Sequence, residues 1–258
     1  MLVVVAGCFG LLLGSFVNVL IARVPAGEDW VRGSSRCPKC RHDLAWYDNI
    51  PLLSWVVLRA RCRYCSARIS ARYPVVEVLV AGLVVAVAVQ HGVSVLTLAL
   101  VYLAAISVAL AFIDADTQRL PDAIVLPALV ALPVLLALDA ALSDGWGNLA
   151  RAGAGCAILG GFYGLMWLVY PPGLGLGDLK VAALLGFVLG YIAWPALAVG
   201  AIAGPLLGGG VVVVGLATRR LNRRSRVPYG PALLSGAWIG ILAGSLIGHA
   251  YLRLVVPG

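Results

Sequence analysis

Gly175-Leu176-Gly177-Asp178-Leu179-Lys180 lies between two long apolar segments, residues 152–170 and 180–193. A carboxylate at the end of a helix that enters a membrane is costly to place, so such a residue points to a functional site. Two further acids, Asp114 and Asp116, stand where another apolar segment meets a polar loop. Acids in these positions predict aspartyl chemistry on a membrane substrate.

The composition is that of an integral membrane protein. Of the 258 residues, 62% are hydrophobic and 12% are charged, whereas soluble domains are about half apolar and about a quarter charged. A transmembrane helix needs about 20 apolar residues. The chain contains eight apolar segments, at residues 2–22, 74–90, 95–113, 123–142, 152–170, 180–193, 196–217 and 231–252.

These segments predict an all-α fold, a polytopic membrane helix bundle of about eight transmembrane helices with one small polar domain. Residues 1–22 lack the basic start and the cleavage site of a signal peptide, so we interpret them as the first transmembrane helix. Residues 23–73 form the polar domain, and residues 74–258 form a multi-helix membrane domain.

The net charge of +8 is unevenly distributed. Ten of the 19 lysines and arginines lie between Arg23 and Arg72, and five lie between Arg219 and Arg226. If the first helix runs inward, 17 basic residues fall in or beside cytoplasmic loops and two fall outside, which the positive-inside rule favours. Each basic cluster flanks an apolar segment, so we expect a lipid bilayer and no nucleic acid as partner. Asp114 and Asp178 then share the cytoplasmic face.

Four cysteines in the polar domain form two C-x2-C pairs, Cys37 with Cys40 and Cys62 with Cys65, separated by 21 residues. Two such pairs can place four thiolates around one zinc ion. The domain has few apolar residues, so the metal would supply much of its folding free energy. Disulfides and free thiols are the alternatives, and a cytoplasmic location argues against disulfides. Four thiolates would fill all four coordination positions of a tetrahedral zinc ion, which predicts a structural rather than a catalytic zinc site.

Three acids are candidates for catalysis: Asp114, Asp116 and Asp178. Of the three acids, only Asp178 has glycines one and three positions before it, Gly177 and Gly175. These glycines would let the backbone bend tightly and let a substrate strand approach. The residues alone do not choose between Asp114 and Asp116.

Two other patterns predict structure. Asp122 follows Pro121 and precedes an apolar segment, which is typical of a helix N-cap. Glycines four positions apart line the last two apolar segments, and such faces let helices pack closely. We interpret them as packing faces within the bundle, with a docking groove for a substrate helix as the alternative. They are Gly200, Gly204 and Gly208, then Gly236, Gly240, Gly244 and Gly248.

Motifs along nearly the whole chain resemble those of the bacterial type IV prepilin peptidases. The last of them has Tyr229 where the family has Phe. In order they are Gly14-Ser15-Phe16-Val17-Asn18-Val19 with Arg23-Val24-Pro25, residues 48–55 (Asp-Asn-Ile-Pro-Leu-Leu-Ser-Trp), residues 69–77 (Ile-Ser-Ala-Arg-Tyr-Pro-Val-Val-Glu), Ile113-Asp114 with Leu120-Pro121-Asp122, Gly175-Leu176-Gly177-Asp178, and Pro228-Tyr229-Gly230-Pro231.

The resemblance implies a catalytic pair, Asp114 and Asp178, with Gly175 and Gly177 in the active-site loop. It implies a bacterial inner-membrane protease of type IV pilus or type II secretion systems. Such an enzyme cleaves the short basic leader of a prepilin or pseudopilin after a glycine, on the cytoplasmic side. It also implies methylation of the new amino terminus with S-adenosylmethionine, because members that methylate generally carry the cysteine domain.

The residues that would bind S-adenosylmethionine are not assigned by sequence. The glycine-rich fingerprint of a dinucleotide-binding strand–helix unit does not occur. We expect an unconventional site between the cysteine domain and the membrane, where Arg72 and Glu77 lie. A local ion pair between these two residues is the alternative interpretation.

Other functions were weighed against the protease. A presenilin-like or archaeal preflagellin protease would lack the cysteine domain and the Asp-Asn-Ile-Pro segment. A proton-relay transporter needs acids near the bilayer midplane and internal repeats, whereas these acids lie at segment ends. A membrane scaffold for pilus assembly with a zinc module is the third alternative.

Overall fold

The computed structural model describes residues 1–31, 35–169, 175–222, 225 and 227–255. The described chain contains eight long helices, one short helix and a 3₁₀ turn, and no strand beyond two isolated bridges. The elements are α1 (Leu2–Arg23), a 3₁₀ turn (Trp46–Asn49), α2 (Leu53–Val57), α3 (Arg72–His91), α4 (Val95–Thr117), α5 (Asp122–Ser143), α6 (Trp146–Val169), α7 (Leu176–Ile192), α8 (Trp194–Ala217) and α9 (Gly230–Val255). The prediction of an all-α bundle is confirmed.

The long helices are those of a multi-pass membrane protein. Among the described residues, seven are long and apolar enough to cross a bilayer. The eighth, α7, has 17 residues, the shortest length that typically spans the hydrocarbon core. On α8, Leu206, Val213 and Val214 are more than 60% exposed, as expected of side chains that face lipid.

Some helix ends differ from the predicted segments in ways that matter for the site. The α4 helix continues to Thr117, so Asp114 lies within its last turn rather than after it. The α7 helix begins at Leu176, so Asp178 lies within its first turn. Residue 170, the last of the predicted segment 152–170, and residues 171–174 after it lie outside the described residues, as do Arg223, Arg224 and Arg226 of the basic cluster.

The chain divides into two compact units, Met1–Ala109 and Leu110–Gly258. In the first unit, α1 packs directly on α3. A Cβ atom at Gly14 would lie 2.6 Å from Cα of Glu77, so only glycine allows this approach. The Asn18 side chain donates a hydrogen bond of 3.1 Å to the Tyr73 carbonyl. The two helices are therefore in contact where the chain enters and leaves the cysteine domain (residues 23–73).

In the second unit, α6 pairs with α7 and α8 pairs with α9. A Cβ at Gly244 would lie 2.6 Å from Cα of Ala196, which confirms that the glycine face of α9 is a packing face. The Arg151 guanidinium on α6 donates hydrogen bonds of 2.6–3.1 Å to three carbonyls at the end of α7, those of Gly190, Tyr191 and Ile192. These bonds cap the carboxyl end of α7.

Candidate active site and metal centre

The two cysteine pairs adopt the same local turn. In each, the N–H of the first cysteine donates to the carbonyl five residues further on, over 3.0 Å at Cys37 and 2.9 Å at Cys62. The N–H four residues further on donates back to the cysteine carbonyl, over 2.9 Å in both turns. The residue at that position has positive φ, 57° at Arg41 and 58° at Ser66. The turns are thus two equivalent knuckles.

The knuckles bring the four thiols together. The Sγ atoms of Cys37, Cys40, Cys62 and Cys65 all lie within 4.8 Å of one another. Those of Cys37 and Cys65 are 3.8 Å apart, and sulfur atoms about 2.3 Å from a tetrahedral zinc ion are about 3.8 Å apart. All four thiols are free of disulfides. The cluster could hold a metal ion, and its spacing is consistent with zinc.

The backbone also prepares one of these thiols to bind a metal. The N–H of Cys40, then that of Lys39, donates toward the Cys37 sulfur and, against the opposing effect of burial, lowers the pKa of Cys37 to about 6. Metals bind the thiolate rather than the thiol. The Cys37 turn therefore favours the ligand form near neutral pH.

The first candidate carboxylate, Asp114, is buried in the last turn of α4, with 5% of the residue exposed. Its Oδ2 accepts a hydrogen bond of 2.9 Å from the N–H of Gly230, the first residue of α9. A Cβ at Gly230 would lie 2.8 Å from the same oxygen, so a larger residue would displace the carboxylate. Asp116, two positions on, is exposed. Burial thus distinguishes Asp114 from Asp116, between which the sequence alone did not choose.

The second candidate carboxylate, Asp178, is the third residue of α7 and is partly exposed. Its Oδ2 accepts a hydrogen bond of 3.1 Å from the N–H of Gly175. The expectation that the glycines form a tight bend is wrong: Gly175 has φ −75° and ψ 148°, an ordinary extended conformation. Close approach explains Gly177 instead, because a Cβ there would lie 2.9 Å from Cβ of Leu120.

Contacts between helices bring the two carboxylates to one region of the second unit. Gly177, next to Asp178, packs against Leu120, which lies six residues after Asp114. The same region contains the hydroxyls of Tyr163 and Tyr229. The two hydroxyls are 2.5 Å apart. Tyr229 directly precedes Gly230, so this hydroxyl pair links α6 to the residue that holds Asp114.

A surface ion pair joins the beginnings of α5 and α7. Lys180 Nζ lies 2.6 Å from Oδ1 of Asp122, which ties the fifth residue of α7 to the first residue of α5. The prediction that Asp122 caps α5 is wrong, because Pro121 occupies the N-cap position and Asp122 is the first helical residue. Its carboxylate is therefore used for the ion pair.

Comparison with known proteins identifies the family of the chain. Residues 8–91 match the Bacterial Peptidase A24 N-terminal domain, and residues 100–214 match the Type IV leader peptidase family. Proteins named Prepilin leader peptidase/N-methyltransferase are similar over nearly their full length. The one from Aeromonas hydrophila is 37% identical over 95% of this chain and 91% of its own length. The one from Pseudomonas putida is 35% identical over 98% and 94%. No solved structure matches the chain significantly.

The chain belongs to the type IV leader peptidase family. The predicted resemblance is confirmed, and membership of a protease family favours an enzyme over a transporter or a scaffold. In this leader peptidase, sequence reasoning missed two residues of the candidate active site. Tyr163 lies in an apolar helix with no distinguishing pattern, and Gly230 was quoted only as part of a motif without a role. Only a contact between residues 116 positions apart reveals that Gly230 holds Asp114.

Proposed function

We propose that this chain is a membrane aspartyl endopeptidase that removes the short basic leader of prepilins or pseudopilins after a glycine. Asp114 and Asp178 are the proposed catalytic pair. The observation that supports the proposal is how the two carboxylates are held: each accepts a backbone N–H, from Gly230 and Gly175 respectively, and Gly177, next to Asp178, packs against Leu120, six residues after Asp114. An aspartyl protease needs such a pair.

In the proposed mechanism the pair shares one proton, because two nearby carboxylates do not ionise together at low cost. The ionised carboxylate takes a proton from a water molecule, whose oxygen attacks the scissile carbonyl carbon. The protonated carboxylate donates to the carbonyl oxygen, and a proton is later delivered to the leaving amine as the C–N bond breaks. The chain supplies backbone hydrogen bonds that fix both carboxylates before the substrate arrives.

The proposed orientation places this chemistry at the cytoplasmic face of the bacterial inner membrane. The basic residues support it: if α1 runs inward, 17 of the 19 fall in or beside loops on the side of Asp114 and Asp178, as the positive-inside rule favours. The substrate's hydrophobic helix would stay in the bilayer while its basic leader is cut at the membrane surface.

We further propose that the four-cysteine cluster binds one structural zinc ion, and that the enzyme N-methylates the new amino terminus. S-adenosylmethionine would supply a methyl group on a cationic sulfur: the neutral amine forms the C–N bond, the C–S electron pair returns to sulfur, and the amine then loses a proton. The names of the relatives include N-methyltransferase, which supports this second activity. The chain's part would be to hold the amine and the donor in line.

The experiment that tests the peptidase compares cleavage of a prepilin by the purified wild type and by Asp114→Asn and Asp178→Asn. Removing either acid from a catalytic pair should slow cleavage by at least about 10²-fold. Asp116→Asn is the matched control, because the same change is made at an exposed position two residues away. Mass spectrometry identifies the new amino terminus. Cleavage at a normal rate by either catalytic variant would contradict the proposed pair.

A further inference from the structure

The short helix α2 of the cysteine domain has an apolar face that is open to its surroundings. None of the five residues of α2 is buried. Leu53, Val56 and Val57 are 56%, 63% and 65% exposed, and residues three and four positions apart lie on the same side of a helix. We call these three side chains the α2 face. Clustered exposed apolar side chains typically mark a contact with a partner or a membrane.

A hydrogen bond places the start of α2 beside the membrane-spanning part of α3. The N–H of Leu52, the residue before α2, donates a hydrogen bond of 2.9 Å to Oε2 of Glu77. Glu77 lies three residues inside the apolar segment 74–90, which corresponds to about 5 Å along a helix. Gly14 of α1 packs against the same residue, and both helices are long and apolar enough to cross a bilayer. The start of α2 therefore lies at a level inside the apolar part of α3.

The other end of α2 lies closer to the surface of the bilayer. Nε1 of Trp55 donates a hydrogen bond of 3.3 Å to the carbonyl of Ile69. The N–H of Ile69 in turn donates over 2.7 Å to the carbonyl of Ala60, which follows α2. Ile69 comes three residues before α3 begins at Arg72. The α2 segment therefore runs outward, from the level of Glu77 to the level just outside the start of α3.

Two arginines, Arg59 and Arg61, lie at this outer level. Both are exposed, and in the part of the chain that the structure describes neither guanidinium group has a hydrogen-bond or ion-pair partner. The whole cysteine domain carries ten basic residues and four acids. Basic side chains at a membrane surface are attracted to anionic lipid headgroups. The charges beside the α2 face therefore complement an anionic bilayer.

A contact at this depth also gives a role to a sequence motif that the proposed peptidase chemistry does not use. Residues 48–55 include Leu52 and the first residues of α2. Leu52 has φ 58° and ψ −48°, a region that non-glycine residues rarely occupy. Its bond to Glu77 stabilises this backbone and fixes α2 against α3. The motif thus sets the level of the α2 face along α3.

We propose that the α2 face binds the lipid bilayer, in the leaflet on the side of the cysteine domain. Leu53, Val56 and Val57 enter the lipid beside α1 and α3, and Arg59 and Arg61 contact the phosphate groups of anionic lipids. Interfacial amphipathic helices bind in this way, with the apolar side roughly 5–10 Å deep. The contact holds the cysteine domain against the membrane. It depends on neither of the proposed enzymatic activities.

The first test identifies what covers the α2 face. The photoreactive amino acid p-benzoylphenylalanine replaces Val56 in the full-length protein, which is irradiated in nanodiscs of phosphatidylethanolamine and phosphatidylglycerol. Mass spectrometry identifies the attached molecule. We expect lipid adducts to be at least about tenfold more abundant than with the same amino acid at Asp43, whose side chain is 59% exposed and pairs with Arg36. Cross-links to residues 110–258 or to a second chain, in place of lipid, would overturn the proposal.

The second test changes the charge of the α2 face. The double variant Val56→Glu with Val57→Glu places two acids beside anionic lipid, whereas Val56→Leu with Val57→Leu keeps the face apolar and is the matched control. Trypsin cuts after Arg59 and Arg61 only where the chain is accessible. In the same nanodiscs we expect cutting at these sites to be at least about tenfold faster in the double-Glu variant than in the wild type, and unchanged in the double-Leu variant.

The two readouts distinguish a membrane contact from a loss of folding. Because both valines are exposed, thermal unfolding in detergent should be the same for the wild type and both double variants. Equal rates of trypsin cutting in all three proteins would overturn the membrane contact. The cross-linking result is independent of these variants, and neither readout uses prepilin cleavage, so failure of the proposed peptidase would leave both tests unaffected.

Discussion

The cysteine cluster and the aspartate cluster are built in opposite ways. Each cysteine pair is held by a turn of six residues whose hydrogen bonds are nearly identical in the two knuckles. Asp114, in contrast, is held by a backbone N–H 116 positions away. The geometry of each cysteine pair therefore depends on local turns, whereas the position of Asp114 depends on packing between helices. Substitutions in the cysteine cluster should therefore affect metal binding, whereas substitutions in the aspartate cluster should affect cleavage.

The largest expected effect is on the cysteine cluster. Cys37→Ser removes a buried ligand, and the remaining three thiols should lose most of their zinc, because structural zinc contributes about 10–16 kcal/mol of apparent binding free energy in small zinc-finger peptides. We expect unfolding of the cysteine domain, seen as proteolytic cleavage between residues 23 and 73, together with loss of bound zinc.

The matched control for this change is Cys8→Ser, at an exposed cysteine of α1 outside the four-thiol cluster. It should keep one zinc ion per chain. A full complement of zinc in Cys37→Ser, measured by mass spectrometry of the intact protein, would contradict the four-thiolate site.

The next largest effect concerns the helix contact that holds Asp114. A Cβ at Gly230 would lie 2.8 Å from Oδ2 of Asp114, so Gly230→Ala should displace the carboxylate and slow prepilin cleavage about 10²-fold. Zinc content should not change, since the cysteines lie in the other unit. Gly161→Ala is the control, because a Cβ there meets no atom within 4 Å. Normal cleavage by Gly230→Ala would show that this contact does not position the acid.

A smaller effect is expected at the tyrosine pair. Tyr163→Phe removes one of two hydroxyls that lie 2.5 Å apart and leaves the Tyr229 hydroxyl without that partner. A lost hydrogen bond of this kind costs about 1 kcal/mol, so we expect kcat to fall roughly fivefold. Tyr251→Phe, at a residue that is 62% exposed, should leave kcat unchanged. An unaltered kcat in Tyr163→Phe would confine the pair to a structural role.

The smallest effect is expected at the ion pair between Lys180 and Asp122, whose side chains are 34% and 57% exposed. A double-mutant cycle with Lys180→Met and Asp122→Asn, read by thermal unfolding, should give a coupling free energy below about 1 kcal/mol. A coupling of several kcal/mol would mean that the pair holds the beginnings of α5 and α7 together.

Much of the fold could be predicted because the signals are local. Apolar length located the ends of the long helices to within six residues, the largest difference being the start of α6, and the two C-x2-C spacings located the thiol cluster. The errors lie where polar residues continue a helix. Asp114 and Asp178 were expected at segment ends, but the helical hydrogen-bond pattern extends through both. An apolar segment ends at the first charged residue, whereas a helix ends where its backbone hydrogen bonds end.

The role of the glycines shows the same limit. Their sequence positions suggested a tight bend, yet the backbone at Gly175 is extended and Gly177 matters because Leu120 lies against it. The sequence shows that a position is glycine, but it does not show which neighbouring residue leaves no room for a side chain there. The same holds for Gly230 and Asp114.

The sequence by itself determined that this protein is a multi-pass helical membrane protein with two C-x2-C pairs and three candidate acids, because hydropathy, spacing and composition act over short stretches of chain. Tertiary structure decided which acid is buried and what holds each carboxylate. These properties depend on contacts between distant residues. Burial and hydrogen bonding are set only when the helices have packed.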